Sequence, residues 1–271
     1  MNSPVVTDGS ARTTGVPFLE LCGVTVRHGE RTAVSAIDLV LHPGEFVALI
    51  GPSGCGKSSL LHVLAGLAPV AGGSLRHEGT DATTDLGRRV RVGYVFQDHR
   101  LLPWRTVAQN LEIAMKAAGV PKAEWGERID RHLGMLRVAE YRDSWPMRLS
   151  GGQRQRVSIA RALAVDPDVI LMDEPFSGLD EVTGRAMRME LARLREVSTV
   201  PTVFVTHSIR EALFLADRVV MLSHGPARVL KEMDVPVARP RRYEDPEISR
   251  LEDAVVSDVL REWELAEGPA S

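Results

Sequence analysis

The chain has 271 residues, 44% of them hydrophobic and 25% charged, with a formal net charge of −3 from 33 basic and 36 acidic side chains. That length suffices for one large domain or two small ones with ample core, and the near-balance of charge gives no bulk electrostatic reason to expect nucleic-acid binding. Two cysteines, Cys22 and Cys55, exclude a disulfide framework and suit a reducing compartment, and the eight histidines lack the Cys/His spacing of a zinc site. No apolar run reaches the roughly 18 residues that span a bilayer, and the N-terminus lacks a signal peptide's apolar core. The chain is expected to be soluble and cytoplasmic, held at any membrane by something else.

Residues 1–17 are polar, small and punctuated by proline and glycine, which predicts an unstructured tail. From Phe18 the pattern turns to strands, "FLELCGVTV" and then "TAVSAIDLVL". "EFVALI" is a continuous apolar run that ends in glycine and feeds a helix from about Lys57 to Ala65: a buried strand, a tight turn and a helix. "VRVGYVF" (90–96) reads as another buried strand, and residues 106–164 read mostly as helices. Strand patterns return at "DVILMD" (168–173), "TVFVTH" (202–207) and "RVVMLS" (218–223), separated by helical stretches. An α/β core interrupted by an all-helical insert at about 100–160 accounts for this order. From Arg239 on there is a basic loop, "ARPRR", and an amphipathic helix, "EISRLEDAVVSDVLREWELAE", which together make a C-terminal extension over 239–271.

The turn after "EFVALI" is Gly51-Pro52-Ser53-Gly54-Cys55-Gly56-Lys57-Ser58, which fits G-x-x-x-x-G-K-[ST]. Glycines let the backbone fold its N–H groups around phosphate oxygens, and the helix start adds a favourable dipole. Lys57 supplies a point charge for the β- and γ-phosphates and is expected on a surface turn, outside the core; the Ser58 hydroxyl is placed for Mg²⁺. Cys55 reads as a small residue tolerated in the loop. At the end of "DVILMD", Asp173 and Glu174 are costly carboxylates unless they face a site, although strand-end acids also cap helices. Paired with such a phosphate loop, Asp173 takes the role of holding Mg²⁺, and Glu174 that of orienting and deprotonating a water. His207 ends another strand, where it either contacts a γ-phosphate or is structural.

"LSGGQRQRVSIARAL" (149–163) raises a second possibility of anion binding, since Ser150 and two glycines lead into a long helix. As a plain N-cap Ser150 alone would suffice. The glycines cost helix stability and go unexplained unless the backbone must approach something closely.

Taken together, "GPSGCGKSS", "VFQDHRLLPW", "LSGGQRQR", "VILMDEP", "SGLD" and "VTHS", in that order, resemble the ATP-binding subunit of an ABC transporter over nearly the whole chain beyond the tail. "LLPWRTVAQN" is similar to the branch serving nitrate, sulfonate and taurine-type importers. The resemblance implies a P-loop NTPase core with an antiparallel β subdomain and an inserted helical subdomain, the cassette spanning 18–238. It implies ATP hydrolysis with Mg²⁺ by two copies paired head to tail, each ATP held between one copy's P-loop (Gly51, Ser53, Gly54, Cys55, Gly56, Lys57, Ser58, Ser59) and the other's Ser150, Gly151, Gly152 and Gln153. It carries over a Mg²⁺- and water-contacting role to Gln97 and an interface-crossing role to Asp180. It implies docking of the helical insert on two transmembrane permease subunits at the cytoplasmic face, a solute-binding protein as indirect partner, and no nucleic acid. Two positions depart from the pattern: Gly178 stands where alanine is commoner, which is expected to loosen that loop, and His28 stands where an aromatic packs on adenine. His28 is either a weaker adenine contact or a plain exposed loop histidine. The alternative function is a soluble cassette ATPase acting on nucleic acid or ribosomes.

Overall fold

Strands that are apolar at every position need cover on both faces, and that requirement organises the molecule. The computed structural model describes residues 15–267. The predicted unstructured tail therefore lies outside the described residues as far as position 14. In chain order the elements are β1 (Leu19–His28), β2 (Arg31–Leu41), β3 (Phe46–Ile50), α1 (Lys57–Leu64), β4 (Gly72–His77), β5 (Thr80–Asp81), α2 (Leu86–Arg89) and β6 (Val92–Val95). There follow α3 (Val107–Ala117), α4 (Trp125–Met135), α5 (Gly151–Ala164), β7 (Val169–Asp173), α6 (Glu181–Val197), β8 (Thr202–Val205), α7 (Ile209–Leu215), β9 (Arg218–Leu222), β10 (Val229–Asp234) and α8 (Pro246–Glu267).

Four strands form an antiparallel sheet in the order β2-β1-β4-β5, and six form a larger sheet in the order β10-β9-β3-β8-β7-β6. Within the larger sheet β9, β3, β8, β7 and β6 run parallel, and β10 is antiparallel at the edge. Every residue of β3, β7, β8 and β9 is buried. Their side chains alternate between two cores, as the period of two in a strand demands. Val47, Leu49, Leu171, Val203, Val205 and Val220 meet α1 and the antiparallel sheet. Ala48, Ile50, Ile170, Met172, Phe204 and Met221 meet the helices on the other face. The expected α/β core, antiparallel subdomain and helical insert are all present.

Two local devices matter for the site. Asn110 is buried in α3, where its amide donates to the carbonyls of Leu102, Arg105 and Thr106 and its oxygen accepts from the Leu102 amide at 2.7 Å. This pins the loop 101–106, from which Trp104 projects with 66% of its surface exposed. The "ARPRR" loop buries one of its charges. Arg241 is buried and donates to the carbonyls of Leu213 and Ala216 at the end of α7 and to those of Val235 and Val237, satisfying carbonyls that a helix end leaves orphaned. Ile248, Val255 and Val259 of α8 join the same core as α7.

Candidate functional site

In parallel sheets ligands bind beyond the carboxyl ends of the strands, and four neighbouring strands here end in the segments singled out from sequence. β3 runs into the Gly51–Ser58 loop, β7 into Asp173-Glu174, β8 into Thr206-His207, and β6 into Gln97. The sheet thus brings together residues far apart in the chain.

The loop after β3 needs its glycines. Gly54 has φ +72° and Gly56 φ +126°, and a Cβ on Gly56 would lie 2.4 Å from the Ala33 carbonyl oxygen. No L residue fits there without moving β2. Lys57 corrects the surface expectation: it is buried, with 6% of its surface exposed. Its ammonium donates to the carbonyls of Gly51 at 2.8 Å and Pro52 at 2.7 Å. Those bonds hold the charge inside the loop and leave one strong donor of three for a phosphate. Cys55 is likewise a core residue, 2% exposed, with burial pushing its thiol up; such a thiol is inert. Its amide donates within the loop, to Pro52 O at 3.3 Å, so the loop uses that N–H itself, and Ser53 and Gly54 remain exposed at the rim. His28 is the last residue of β1 rather than a loop residue, and its Nε2 lies 2.9 Å from the Ser59 hydroxyl. The imidazole is thereby fixed beside the helix that follows the phosphate loop.

Asp173 is buried at the end of β7, and that burial raises its carboxyl above the usual range, partly offset by a hydrogen bond from the Ser58 side chain. A hydroxyl and a carboxylate side by side are the hard oxygen donors that suit Mg²⁺, which takes one or two carboxylates plus phosphate and water rather than a full protein cage. The pair fits the ion. Glu174 sits at φ +45°, a left-handed conformation that non-glycine residues rarely adopt and that often marks a functional site. The amide and hydroxyl of Ser177 both bond its carbonyl, and its own amide bonds Val205 O. One carboxylate oxygen, Oε2, is the common neighbour of Gln97 Nε2 at 3.3 Å and His207 Nδ1 at 3.6 Å. Gln97 and His207 are exposed and Glu174 is mostly covered, an arrangement able to hold a water between a base and two polar groups.

The second cradle is built differently. Ser150 is the N-cap of α5, its hydroxyl accepting from the Gln153 amide while Gln153 Oε1 accepts from the Ser150 amide, a complete capping box. The box consumes the amides of Ser150 and Gln153 and leaves those of Gly151 and Gly152 with no acceptor among the described residues. The two glycines have different reasons. A Cβ on Gly152 would come within 2.3 Å of Thr183 Cγ2, so close packing on α6 explains it from inside the chain, which sequence reasoning missed. A Cβ on Gly151 would meet nothing nearer than Leu179 at 4.0 Å, so its flank is open to an outside group. No hydrogen bond or ion pair joins this cradle to the first among the described residues. Its neighbour is the start of α6, where Asp180 is the N-cap, accepting from Thr183 N at 3.0 Å. A bond from the Thr183 side chain, and then that backbone bond, hold the exposed Asp180 carboxyl below the usual range. Gly178 has φ +74°, so glycine here relieves strain that alanine would carry.

A family model described as "ABC transporter" matches residues 34–177. The chain is 40% identical over 258 residues to the aliphatic sulfonates import ATP-binding protein SsuB 1 of Mesorhizobium japonicum, covering 95% of this chain and 94% of that one. The chain belongs to the ABC transporter family. It is an ABC ATPase. The nitrate import ATP-binding protein NrtD of Synechococcus elongatus is 37% identical, with 87% of each chain covered. Among solved structures, the dimeric post-hydrolysis state of the ATP-binding cassette MJ0796 bound to ADP and Pi superposes with a TM-score of 0.71 at 32% identity, covering 81% of this chain and all of that one. These relatives lend no support to a nucleic-acid or ribosomal role.

Proposed function

We propose that this chain is the ATP-hydrolysing subunit of an importer for an aliphatic sulfonate or a similar small anion such as nitrate, working as a head-to-tail pair of copies. The observation that carries the reading is the pair of cradles: a glycine loop with its own lysine, and a second, pre-capped helix start whose two free amides have no acceptor among the described residues. A second copy turned head to tail supplies each with the other's phosphate. Backbone donors fixed before binding cost no reorganisation when the γ-phosphate arrives.

In this reading Gly51, Ser53, Gly54, Gly56, Lys57 and Ser59 hold the β- and γ-phosphates, and Cys55 contributes shape rather than a donor. Ser58, Asp173 and Gln97 would hold Mg²⁺, which when bound neutralises charge on the phosphate oxygens. Glu174 takes the proton of the attacking water, and Gln97 and His207 orient that water and the γ-phosphate. Ser150, Gly151 and Gly152 of the facing copy cap the γ-phosphate, Gln153 keeps them in place, and Asp180 crosses the interface. His28 packs against adenine.

None of the described helices is long and apolar enough to cross a membrane, so membrane attachment falls to partners. We place the chain on the cytoplasmic face, bound to two permease subunits, with a solute-binding protein beyond them. The exposed Trp104 and Met147 support this: beside them a cleft lined by Asp98, His99, Leu101, Pro103 and Pro146 adjoins Gln97, so a docked helix would touch the segment that senses nucleotide. Exposed apolar side chains grouped like this mark partner surfaces. The cassette is taken as 18–238, its helical insert as about 100–160, and 239–271 as an extension. Co-expression with candidate permease subunits tests the reading. Membrane association and sulfonate-stimulated ATP hydrolysis should both require those subunits, and stimulation by nitrate but not by alkanesulfonates would reassign the solute.

A further inference from the structure

Arg188 lies in the second turn of α6, and its side chain is 7% exposed. A guanidinium buried to that degree is costly unless its donors are met. Nη1 donates to Glu211 Oε1 and Nη2 to Glu181 Oε1, each at 2.9 Å. The cation lies 4.7 Å from the ring centre of Tyr243 and 5.9 Å from that of Phe176. Bare backbone makes the room, since a Cβ on Gly184 would lie 3.3 Å from Nη1.

The contacts with Glu211, Glu181 and Phe176 lead to the catalytic apparatus. Glu211, in α7, accepts at its other oxygen from the Thr206 hydroxyl at 2.5 Å, and Thr206 Oγ1 in turn accepts from the Ser208 amide at 3.0 Å. The turn bracketed in this way is the one that carries His207. Glu181 is the first residue of α6, next to Asp180. Phe176 belongs to the turn that holds Glu174 at positive φ. Glu174, Ser177, Leu179 and His207 line a cavity of ≈ 260 Å³ whose wall includes Arg188, Glu181 and Glu211. Tyr243 belongs to the C-terminal segment. It also packs edge-on to Phe214 of α7, and its carbonyl accepts from Arg210 at 3.0 Å. Joining α6 to α7 alone would need only apolar side chains. A buried chain of Arg188, Glu211 and Thr206 instead fixes direction and register.

We propose that Arg188 is a positioning residue for ATP hydrolysis, holding His207, the Glu174 turn and Asp180 in one frame, with Tyr243 of the C-terminal segment as its platform. The inference rests on the ATPase reading above and adds that the residue facing the chain's own nucleotide, His207, and the residue crossing to the partner, Asp180, move together.

The test uses the full chain. Removing both buried charges at once, as Arg188→Met with Glu211→Gln, avoids stranding either ion and keeps an acceptor for Thr206. The expected result is a kcat about tenfold or more below wild type with KM for MgATP within about twofold, the pattern of lost transition-state stabilisation. Arg188→Lys should recover part of the rate. In histidine-labelled protein the His207 ring resonances should shift while those of His28 stay. Tyr243→Leu, which leaves every charge paired, should shift His207 in the same sense and lower kcat less, and it decides the matter should the double variant not fold. Unchanged kcat or unchanged His207 resonances in a folded variant overturn the proposal. A wild-type chain without MgATP turnover overturns the ATPase reading instead, and the His207 resonances still decide the positioning claim.

Discussion

Gly151 and Gly152 are adjacent, yet the structure predicts opposite outcomes when each becomes alanine. At Gly151 an added Cβ meets nothing nearer than 4.0 Å, so the variant gains the backbone preorganisation of alanine, about 0.5 kcal/mol near a helix start. At Gly152 the same methyl arrives 2.3 Å from Thr183 Cγ2. A β-branched side chain has few rotamers to escape into, and overpacking of this kind costs about 1–3 kcal/mol, which exceeds the gain from alanine. Gly151→Ala should therefore unfold at slightly higher urea than wild type, and Gly152→Ala at lower urea. Adding Thr183→Ser to Gly152→Ala removes the offending methyl and keeps the hydroxyl, and should restore the wild-type midpoint. Activity should order differently. Gly151→Ala puts its methyl on the open face that the proposed head-to-tail pairing gives to the partner's γ-phosphate, so ATP hydrolysis should fall at least about tenfold, on the scale of losing a backbone oxyanion donor. Equal midpoints for the two single variants would refute the packing argument. A Gly151→Ala protein with wild-type turnover would refute the outward-facing cradle.

Lys57→Ala should abolish turnover and most nucleotide affinity; because the side chain is buried and bonded to two carbonyls, it should also lower the unfolding midpoint, read by circular dichroism. His28→Ala should weaken ATP binding by roughly 1 kcal/mol, the low end for base stacking, and His28→Tyr should match or exceed wild type; titration with ATP and GTP checks both. Asp173→Asn should raise the thermal midpoint while ending Mg²⁺-dependent hydrolysis, because burial penalises the carboxylate in the fold. Burial also lowers His132 to about 4 from an unfolded value of 6.5. Stability from the neutral ring is present above pH 6.5 and lost as pH falls toward 4, with a slope of at most about 1.4 kcal/mol per unit. Urea titrations of His132→Leu should show that slope flattened over the same interval.

The candidate site is legible in the sequence through the residues whose chemistry is local. Gly54, Gly56 and Lys57 belong to one turn between a buried strand and a helix, and the strand-end positions of Asp173 and His207 follow from apolar runs of countable length. Long-range packing left no such trace. The 2.3 Å approach that requires Gly152 comes from Thr183, on another helix, and no periodicity within α5 announces it. Lys57 reads as a surface charge because composition cannot foresee that Gly51 and Pro52 turn their carbonyls inward around it. "ARPRR" reads only as a basic loop because the carbonyls that bury Arg241 come from the end of α7. Nor does the dipeptide Asp173-Glu174 disclose that its second residue sits at φ +45°, a conformation imposed by Ser177 and the neighbouring strand. The pairing of the two cradles rests on family resemblance, since no hydrogen bond or ion pair joins them among the described residues.

That pairing is tested most directly by the mass of Glu174→Gln in solution. This variant should bind MgATP without hydrolysing it, so the γ-phosphate persists between the P-loop of one copy and Ser150, Gly151 and Gly152 of the other. Each charge-assisted contact is worth about 1.5–3 kcal/mol, and two sites form per pair. Light scattering should show the mass doubling with MgATP and staying monomeric with MgADP, and adding Ser150→Arg should abolish the doubling while nucleotide still binds. A Glu174→Gln, Ser150→Arg protein that doubles its mass with MgATP as readily as Glu174→Gln alone would contradict the shared site.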